Sequence, residues 1–229
     1  MQLKYFILLS FSVFSLAIYA QSEVKDSTNT TNKPVYRVEA GYSQQLSVGN
    51  SVSSTPYYNI HAGGTVEFPL QYNFGIQTGL NYNFALGHKT QYYGNIIDND
   101  DEGDYNVKDT VTYSYNNHSL NIPVRLTYNL PIFWGLKVFA YAGPNFNIGL
   151  AEPTTVVSTK ELYGVTSGSY DAYRDKISRF NIQLGAGGGI QWKSYRVKSG
   201  YDWGIFNVSK EQNSPQHKRG WTVSFEYEF

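Results

Sequence analysis

The stretch SLNIPVRLTY, residues 119–128, alternates without a break. Leu120, Ile122, Val124, Leu126 and Tyr128 fall on one side, and Ser119, Asn121, Pro123, Arg125 and Thr127 on the other. A period of two is the mark of a strand with two unlike faces. Ten residues is also the length a tilted strand needs to cross a bilayer, about 9–11 residues. Pro123 has no N–H to give, so the ladder is expected to be interrupted or bulged there.

The same pattern recurs on both sides of this segment. Upstream, Val38, Ala40 and Tyr42 oppose Arg37, Glu39 and Ser43. Next, Tyr58, Ile60, Ala62, Val66 and Phe68 oppose Asn59, His61, Thr65 and Glu67, and Phe74 to Phe84 oppose Asn73, Gln77, Asn81 and Asn83. Downstream come Val138 to Leu150, then Phe180 to Trp192 with Arg179 on the polar side. Tyr195, Val197, Tyr201 and Trp203 oppose Arg196, Lys198 and Asp202, and Trp221, Val223, Phe225, Tyr227 and Phe229 oppose Ser224, Glu226 and Glu228.

The connections alternate in length. Short ones fall near 69–72, 130–136 and 193–194, and long ones near 47–56, 87–112, 151–176 and 207–219. Short inner turns, long outer loops and an even strand number describe an outer-membrane barrel. The reading is an all-β chain: an eight-stranded antiparallel transmembrane β-barrel over 36–229, with both barrel ends periplasmic. Tyr72, Phe133, Trp134, Trp192 and Phe229 are expected in the inner aromatic belt, and Tyr82, Tyr113, Tyr115, Trp203 and Trp221 in the outer one. Phe225, Tyr227 and Phe229 form the aromatic end that the barrel-assembly machinery would read, and outer-membrane lipid is the expected surround. The alternative is a soluble barrel or sandwich with its apolar face turned inward. Seven glycines on the inner side (63, 75, 79, 185, 187, 189 and 200) and the aromatic end favour the membrane.

Composition agrees. The 229 residues hold 21 Tyr, 13 Phe, 4 Trp and 21 Gly, with 16% charged residues and mean hydropathy −0.40. With no Cys, disulfides and thiolate chemistry are excluded. A formal charge of zero gives no field toward nucleic acid. Residues 1–20 carry Lys4, an apolar run from Phe6 to Ala17 and a small Ala20, and read as a cleaved signal peptide despite Ile18 at the −3 position. Its removal leaves 17 basic residues (18 less Lys4) against 18 acidic ones, a charge of −1. Residues 21–35 are polar and read as a flexible periplasmic lead-in.

NIPVRLTY at 121–128, VFAYAGPNFNIGL at 138–150, RFNIQLGAGGGIQW at 179–192, VKSGYDWGIFNVS at 197–209 and WTVSFEYEF at 221–229 resemble the PorT-like outer-membrane barrels of Bacteroidota. The Ile122-Pro123 step, the AGP at 142–144 and the GYDWG at 200–204 are the most specific pieces. The resemblance implies a small eight-stranded barrel in the outer membrane. It implies no catalytic residue, although the family is named for a component tied to protein export.

Three local signals bear on chemistry. Asp98, Asp100, Glu102 and Asp109, with Gly103, approach the spacing of a Ca²⁺ loop. The Glu at position 5, the Asp at position 12 and the lack of flanking helices favour an ordinary solvated loop over a Ca²⁺ site. His118-Ser119 offers a base and a nucleophile near the outer rim but no orienting group. His88, His118 and His217 lie near outer loops and lack metal-ligand spacing. No cofactor is implied. The inward charges Arg37, Glu39, Glu67, Arg125, Arg179, Arg196, Lys198, Asp202 and Glu226 are near balance, which reads as a paired polar plug. The functional reading is a non-enzymatic barrel presenting its loops to an extracellular ligand or envelope protein. The alternatives are a narrow conduit for small or apolar solutes and an accessory component of protein secretion.

Overall fold

The computed structural model describes residues 33–49, 55–94, 108–158, 166–210 and 215–229. The segment read as a signal peptide and most of that read as a lead-in lie outside the described residues. Ten strands are described: β1 (Val35–Gly49), β2 (Thr55–Pro69), β3 (Phe74–Gly94), β4 (Lys108–Phe133), β5 (Leu136–Ala151), β6 (Pro153–Ser158), β7 (Gly168–Asp171), β8 (Phe180–Trp192), β9 (Tyr195–Gly204) and β10 (Gln216–Glu228). Eight form a ring in the order β1-β2-β3-β4-β5-β8-β9-β10, each pair antiparallel. The ring closes where β10 pairs with β1, Ala40 opposite Phe225 and Val38 opposite Tyr227. Closure leaves no unpaired edge in the barrel wall.

The two faces have the reverse of soluble burial. Ile60 is 60% exposed, and Val38, Leu80, Leu126, Ile190, Val197, Val223 and Phe225 are exposed with it. Inside, Arg196 is 1% exposed, and Arg37, Glu39, Glu67, Gln77, Asn181 and Glu226 are buried. In water, exposing that apolar belt would cost about 25 cal/mol per Å². Against hydrocarbon it costs nothing, so this wall belongs in a membrane.

Pro123 and Pro144 leave their marks without shifting the register. Ladder rungs are missing between β3 and β4 at Ile122 and Pro123, and between β4 and β5 at Val124 and Arg125, opposite Pro144 and Gly143. Neither proline can donate. Gly143 sits at φ 152° with the Val124 carbonyl against it, where a side chain would collide. At the inner end β4 runs on to Phe133, so its turn is only Trp134-Gly135, both at positive φ (44° and 80°) as a two-residue hairpin turn requires. Trp134 stands 92% exposed at that edge.

The long connections differ most from the sequence reading. β3 continues to Gly94 and β4 begins at Lys108, with Thr90 opposite Thr112, so much of 87–112 is strand. Within 151–176 lie β6, β7 and a one-turn helix, Ala172–Asp175. β6 pairs with the upper part of β4, and β7 with β6, so the sheet extends above the outer mouth. Tyr113 and Tyr115 share the inward side of β4 with buried Val111 and Asn117, and Tyr115 meets Tyr57, 5.8 Å between ring centroids. They are therefore not in the outer belt; strand parity turns them toward the mouth.

Candidate functional site

Glycines and alternation bring the charged side chains into the barrel, where they form three linked groups. At the inner end the Glu67 carboxylate accepts from Arg37 (2.6 Å), Arg196 (3.1 Å), Thr127 (2.7 Å) and Asn129 (2.7 Å). Arg37 also holds Glu228 at 2.8 Å, and Gln191 donates to the same carboxylate. The Arg196 guanidinium lies 3.5 Å over the Phe139 ring, which screens its apolar face from water.

Midway along the barrel, Lys198 bridges Glu39 (2.9 Å) and Glu226 (2.6 Å). His61 Nε2 lies 3.2 Å from Glu39 and 2.9 Å from Ser224. A serine, a histidine and a carboxylate meet there, yet both partners use the same ring nitrogen. A relay needs the base to face the serine with one nitrogen and the acid with the other. The arrangement is a buried hydrogen-bond junction.

The third group joins the three most specific sequence pieces. Arg125 of NIPVRLTY donates to Asp202 of GYDWG at 2.7 Å and to the Gly143 carbonyl of AGP. Its guanidinium stacks 5.5 Å over Tyr141. Gly185 gives the pair its room, since a Cβ there would overlap Asp202 and Arg125. A cavity of about 60 Å³ remains among Glu39, His61, Asn81, Arg125, Tyr141 and Lys198. It is polar and has room for ordered water.

Above these groups the mouth is covered by a lid, the segment that carries Glu152, β6, β7 and the one-turn helix. Glu152 is 1% exposed; it accepts from Tyr57 (3.1 Å) and Asn117 (2.6 Å), with Lys218 at 3.7 Å. Asp171 caps the one-turn helix by accepting from Tyr173 N, and also accepts from Glu152 N. The cap sets Ala172 and Tyr173 into the mouth, both buried, and Asn117 donates to the Tyr173 hydroxyl. Lys210 donates to the Tyr173 and Arg174 carbonyls at the other end of the helix. Burial opposes the Lys218 charge, but Glu152 and Tyr173 outweigh it and hold the ammonium above its ordinary range. Burial pushes the Tyr173 phenol up.

Of the nine charges assigned to the lumen, eight lie there: Arg37, Glu39, Glu67, Arg125, Arg196, Lys198, Asp202 and Glu226. Arg179 does not. Its side chain is 51% exposed at the outer rim, where it pairs with Asp171 at 3.3 Å and stacks on Tyr173. It precedes β8, and the chain has not yet entered the wall there. Asp98, Asp100 and Glu102 lie outside the described residues, while Asp109 is in β4 opposite Tyr93. His118 and Ser119 face opposite ways: His118 meets Tyr82 at 2.6 Å on the outside, and Ser119 is buried inside. Adjacent strand residues cannot work as base and nucleophile on one bond. His88 and His118 share the outer face of β3–β4, whereas His217 is on β10, so the three do not converge. Phe225 and Tyr227 are lipid-exposed beside Tyr195, and Phe229 lies at the inner edge with its N–H on the Tyr36 carbonyl. Glu152, Lys218 and Tyr173 are missing from the sequence reading, because all three stand in stretches taken as loop or left without a role.

No curated protein matches the chain in sequence. Among solved structures, it is similar to Neisserial surface protein A at 10% identity and TM-score 0.45, over 85% of this chain and 97% of that one. It is also similar to Ail, the attachment invasion locus protein of Yersinia pestis, at 13% identity and TM-score 0.35, over 86% and 99%. A third is the outer membrane enzyme PagL, at 12% identity and TM-score 0.38, over 82% and 98%. A family described as an outer membrane protein beta-barrel domain matches residues 19–210. With that match over most of its length, and a wall built for lipid, the chain belongs to the outer membrane protein beta-barrel domain family and resides in the outer membrane.

Proposed function

We propose that this barrel is a non-enzymatic anchor whose extended outer sheet, β3–β4 with β6 and β7, presents a binding surface to an extracellular ligand or an envelope protein. The observation that carries the proposal is the crossing of the lumen by paired charges, which leaves no wide path through its middle among the described residues. Ion pairs cross the lumen at the inner end and in the middle, the space among the central pairs is about 60 Å³, and Glu152, Tyr173 and Lys218 stand at the mouth above an inner vestibule of about 440 Å³ below Glu67. A conduit needs a continuous path and more naturally one dominant sign of charge. This lumen alternates cation with anion. Within the family, the convergence of Arg125, Gly143 and Asp202 at one buried pair supports placing the chain among PorT-like barrels.

The test is electrical. Purified protein in a planar bilayer should pass no steady current, and Arg125→Gln should destabilise the barrel without giving a selective pore. Reproducible currents whose reversal potential moves with Arg125→Gln would replace the anchor with a conduit.

A further inference from the structure

Just above the outer aromatic belt, the seam of β1, β9 and β10 opens sideways into a cleft of about 400 Å³. Its walls are Val48, Trp203 and Pro215, and its polar groups are His217 and Arg219. The cleft lies outside the barrel. On β10 the odd positions face lipid: Trp221, Val223, Phe225 and Tyr227 are exposed, while Ser224 and Glu226 are buried. Arg219 and His217 continue that row upward, in register with Leu46 and Val48 of β1. Trp221 is tied to β1 by its N–H on Gln44 at 3.1 Å and by its ring against Tyr42.

The chemistry of the row changes at Trp221. Below it the outward residues are apolar. Two residues above, about 7 Å along the strand at ~3.4 Å per residue, stands Arg219. That is the level of lipid headgroups above an aromatic belt. Arg37, Arg125 and Arg196 each hold a carboxylate, but Arg219 is exposed with no ion pair among the described residues. His217 Nδ1 is shielded from solvent and has no hydrogen-bond partner. A buried polar atom left unpaired calls for a ligand group or an ordered water.

We propose that this cleft binds the phosphorylated headgroup of an acylated outer-leaflet lipid. Arg219 would donate to the phosphate, and a turn of the His217 ring would bring its shielded Nδ1 into the cleft as a second donor. The acyl chains would descend along Trp203, Trp221 and the apolar row of β10. The cleft is continuous with the lipid-facing wall, so an acylated anion satisfies its cations and its apolar sides together. A small soluble anion would leave the apolar sides unmatched. The inference rests on the membrane location and is independent of the proposed role of the outer sheet.

The experiment uses the full mature protein in phosphatidylcholine vesicles doped with diphosphorylated lipid A, or with the same lipid after its phosphates are removed. Lipid retained through detergent extraction is read by mass spectrometry, and folding by gel mobility before and after boiling. Retention of the phosphorylated form should exceed that of the dephosphorylated form about tenfold, the scale of one charge-assisted hydrogen bond. The double variant Arg219→Gln/His217→Gln should lose the same tenfold. Val48→Trp, which fills the cleft but keeps both polar groups, should lose it too. Lys193→Gln, a charge removed at the inner turns, should retain lipid as the parent does. Equal retention by the double variant and the parent would overturn the proposal. So would full displacement of the lipid by millimolar inorganic phosphate, which would make the cleft a free-anion site.

Discussion

Strand β4 passes through two environments, and its two halves obey opposite rules. Between Leu120 and Tyr128 the outward residues are apolar and the inward ones polar: Leu126 is exposed, and Arg125 and Thr127 are buried. Between Thr110 and Asn117 the strand keeps its parity, yet the apolar side has changed over. Val111 is buried on the inner side, where β6 joins β4, while the outward positions are Thr110, Thr112, Ser114 and Asn116. In the backbone the crossing is marked by a shift in the β4–β5 ladder between His118 and Ser119, above which β4 pairs with β6 instead of β5. Lipid outside the lower half rewards apolar outward residues; water outside the upper half, with the lid over the mouth, rewards apolar inward ones. The partner of a face decides its polarity, and strand alternation alone does not say which face that is.

The comparison breaks most visibly in the lower half, where charges lie deep in the lumen. Arg125→Gln leaves Asp202 buried without its cation, and removal of one partner from a buried pair costs about 3–5 kcal/mol. The expected result is loss of the boiling-sensitive gel band, or a much lower unfolding temperature in detergent. The double variant Arg125→Gln/Asp202→Asn should recover most of the loss, because neither charge is then stranded. A single variant as stable as the parent would show that the pair is solvated. Next in size is Phe225→Arg, on the lipid side opposite Ala40. A cation near mid-membrane costs about 2–4 kcal/mol. Its level in outer-membrane fractions should fall sharply, and normal levels would mean that the assigned facing is wrong.

The lower half was legible because one rule governs it. Eight runs of alternation fix the ring, and the side chains that fill it, from Arg37 to Glu226, fall on the polar face of each run. The upper half was not, because its solvent changes partway. Lys89-Thr-Gln-Tyr-Tyr93 and Val111-Thr-Tyr-Ser-Tyr115 carry strong strand formers. Without an apolar outward face the stretch from 87 to 112 reads as loop. Tyr113 and Tyr115 were placed in the outer belt for the same reason: membrane logic was carried above the membrane. Glu152 and Tyr173 depend on a lid whose position only the tertiary fold provides. Arg179 belongs to that lid, and its sequence neighbours in β8 concealed this.

Removing the β6–β7 hairpin tests whether the upper half is a separate layer. Replacement of 153–171 by a short flexible linker exposes the inward side of Val111, and full exposure of one such side chain costs about 1.5–3 kcal/mol. The barrel below should still assemble and keep its boiling-sensitive mobility, since its ladder is closed without the hairpin. Protease cleavage of intact cells should then move into the tip of β3–β4. If assembly fails altogether, the lid is part of the barrel core.

The smallest expected effect is also the sharpest. Val111 and Thr112 are neighbours on β4 with opposite facing, Val111 inward under the lid and Thr112 outward beside Thr90 at 3.3 Å. If the apolar side has changed over by this point, Val111→Thr buries a hydroxyl in a site with no open solvent and should cost about 1–3 kcal/mol. Thr112→Val faces water and should change stability by less than about 0.5 kcal/mol in either direction. If the lower rule persisted to this height, the order would reverse: Thr112→Val would stabilise the protein in lipid, and Val111→Thr would be tolerated beside the polar lumen. Unfolding temperatures of the two variants in vesicles, each against the parent, discriminate the cases. Repeating the measurement at Leu126 and Thr127, where the lower rule holds, supplies the contrast within the same strand. There, Leu126→Thr should cost more in vesicles than in water-rich detergent, and the Val111 effect should not depend on the lipid at all.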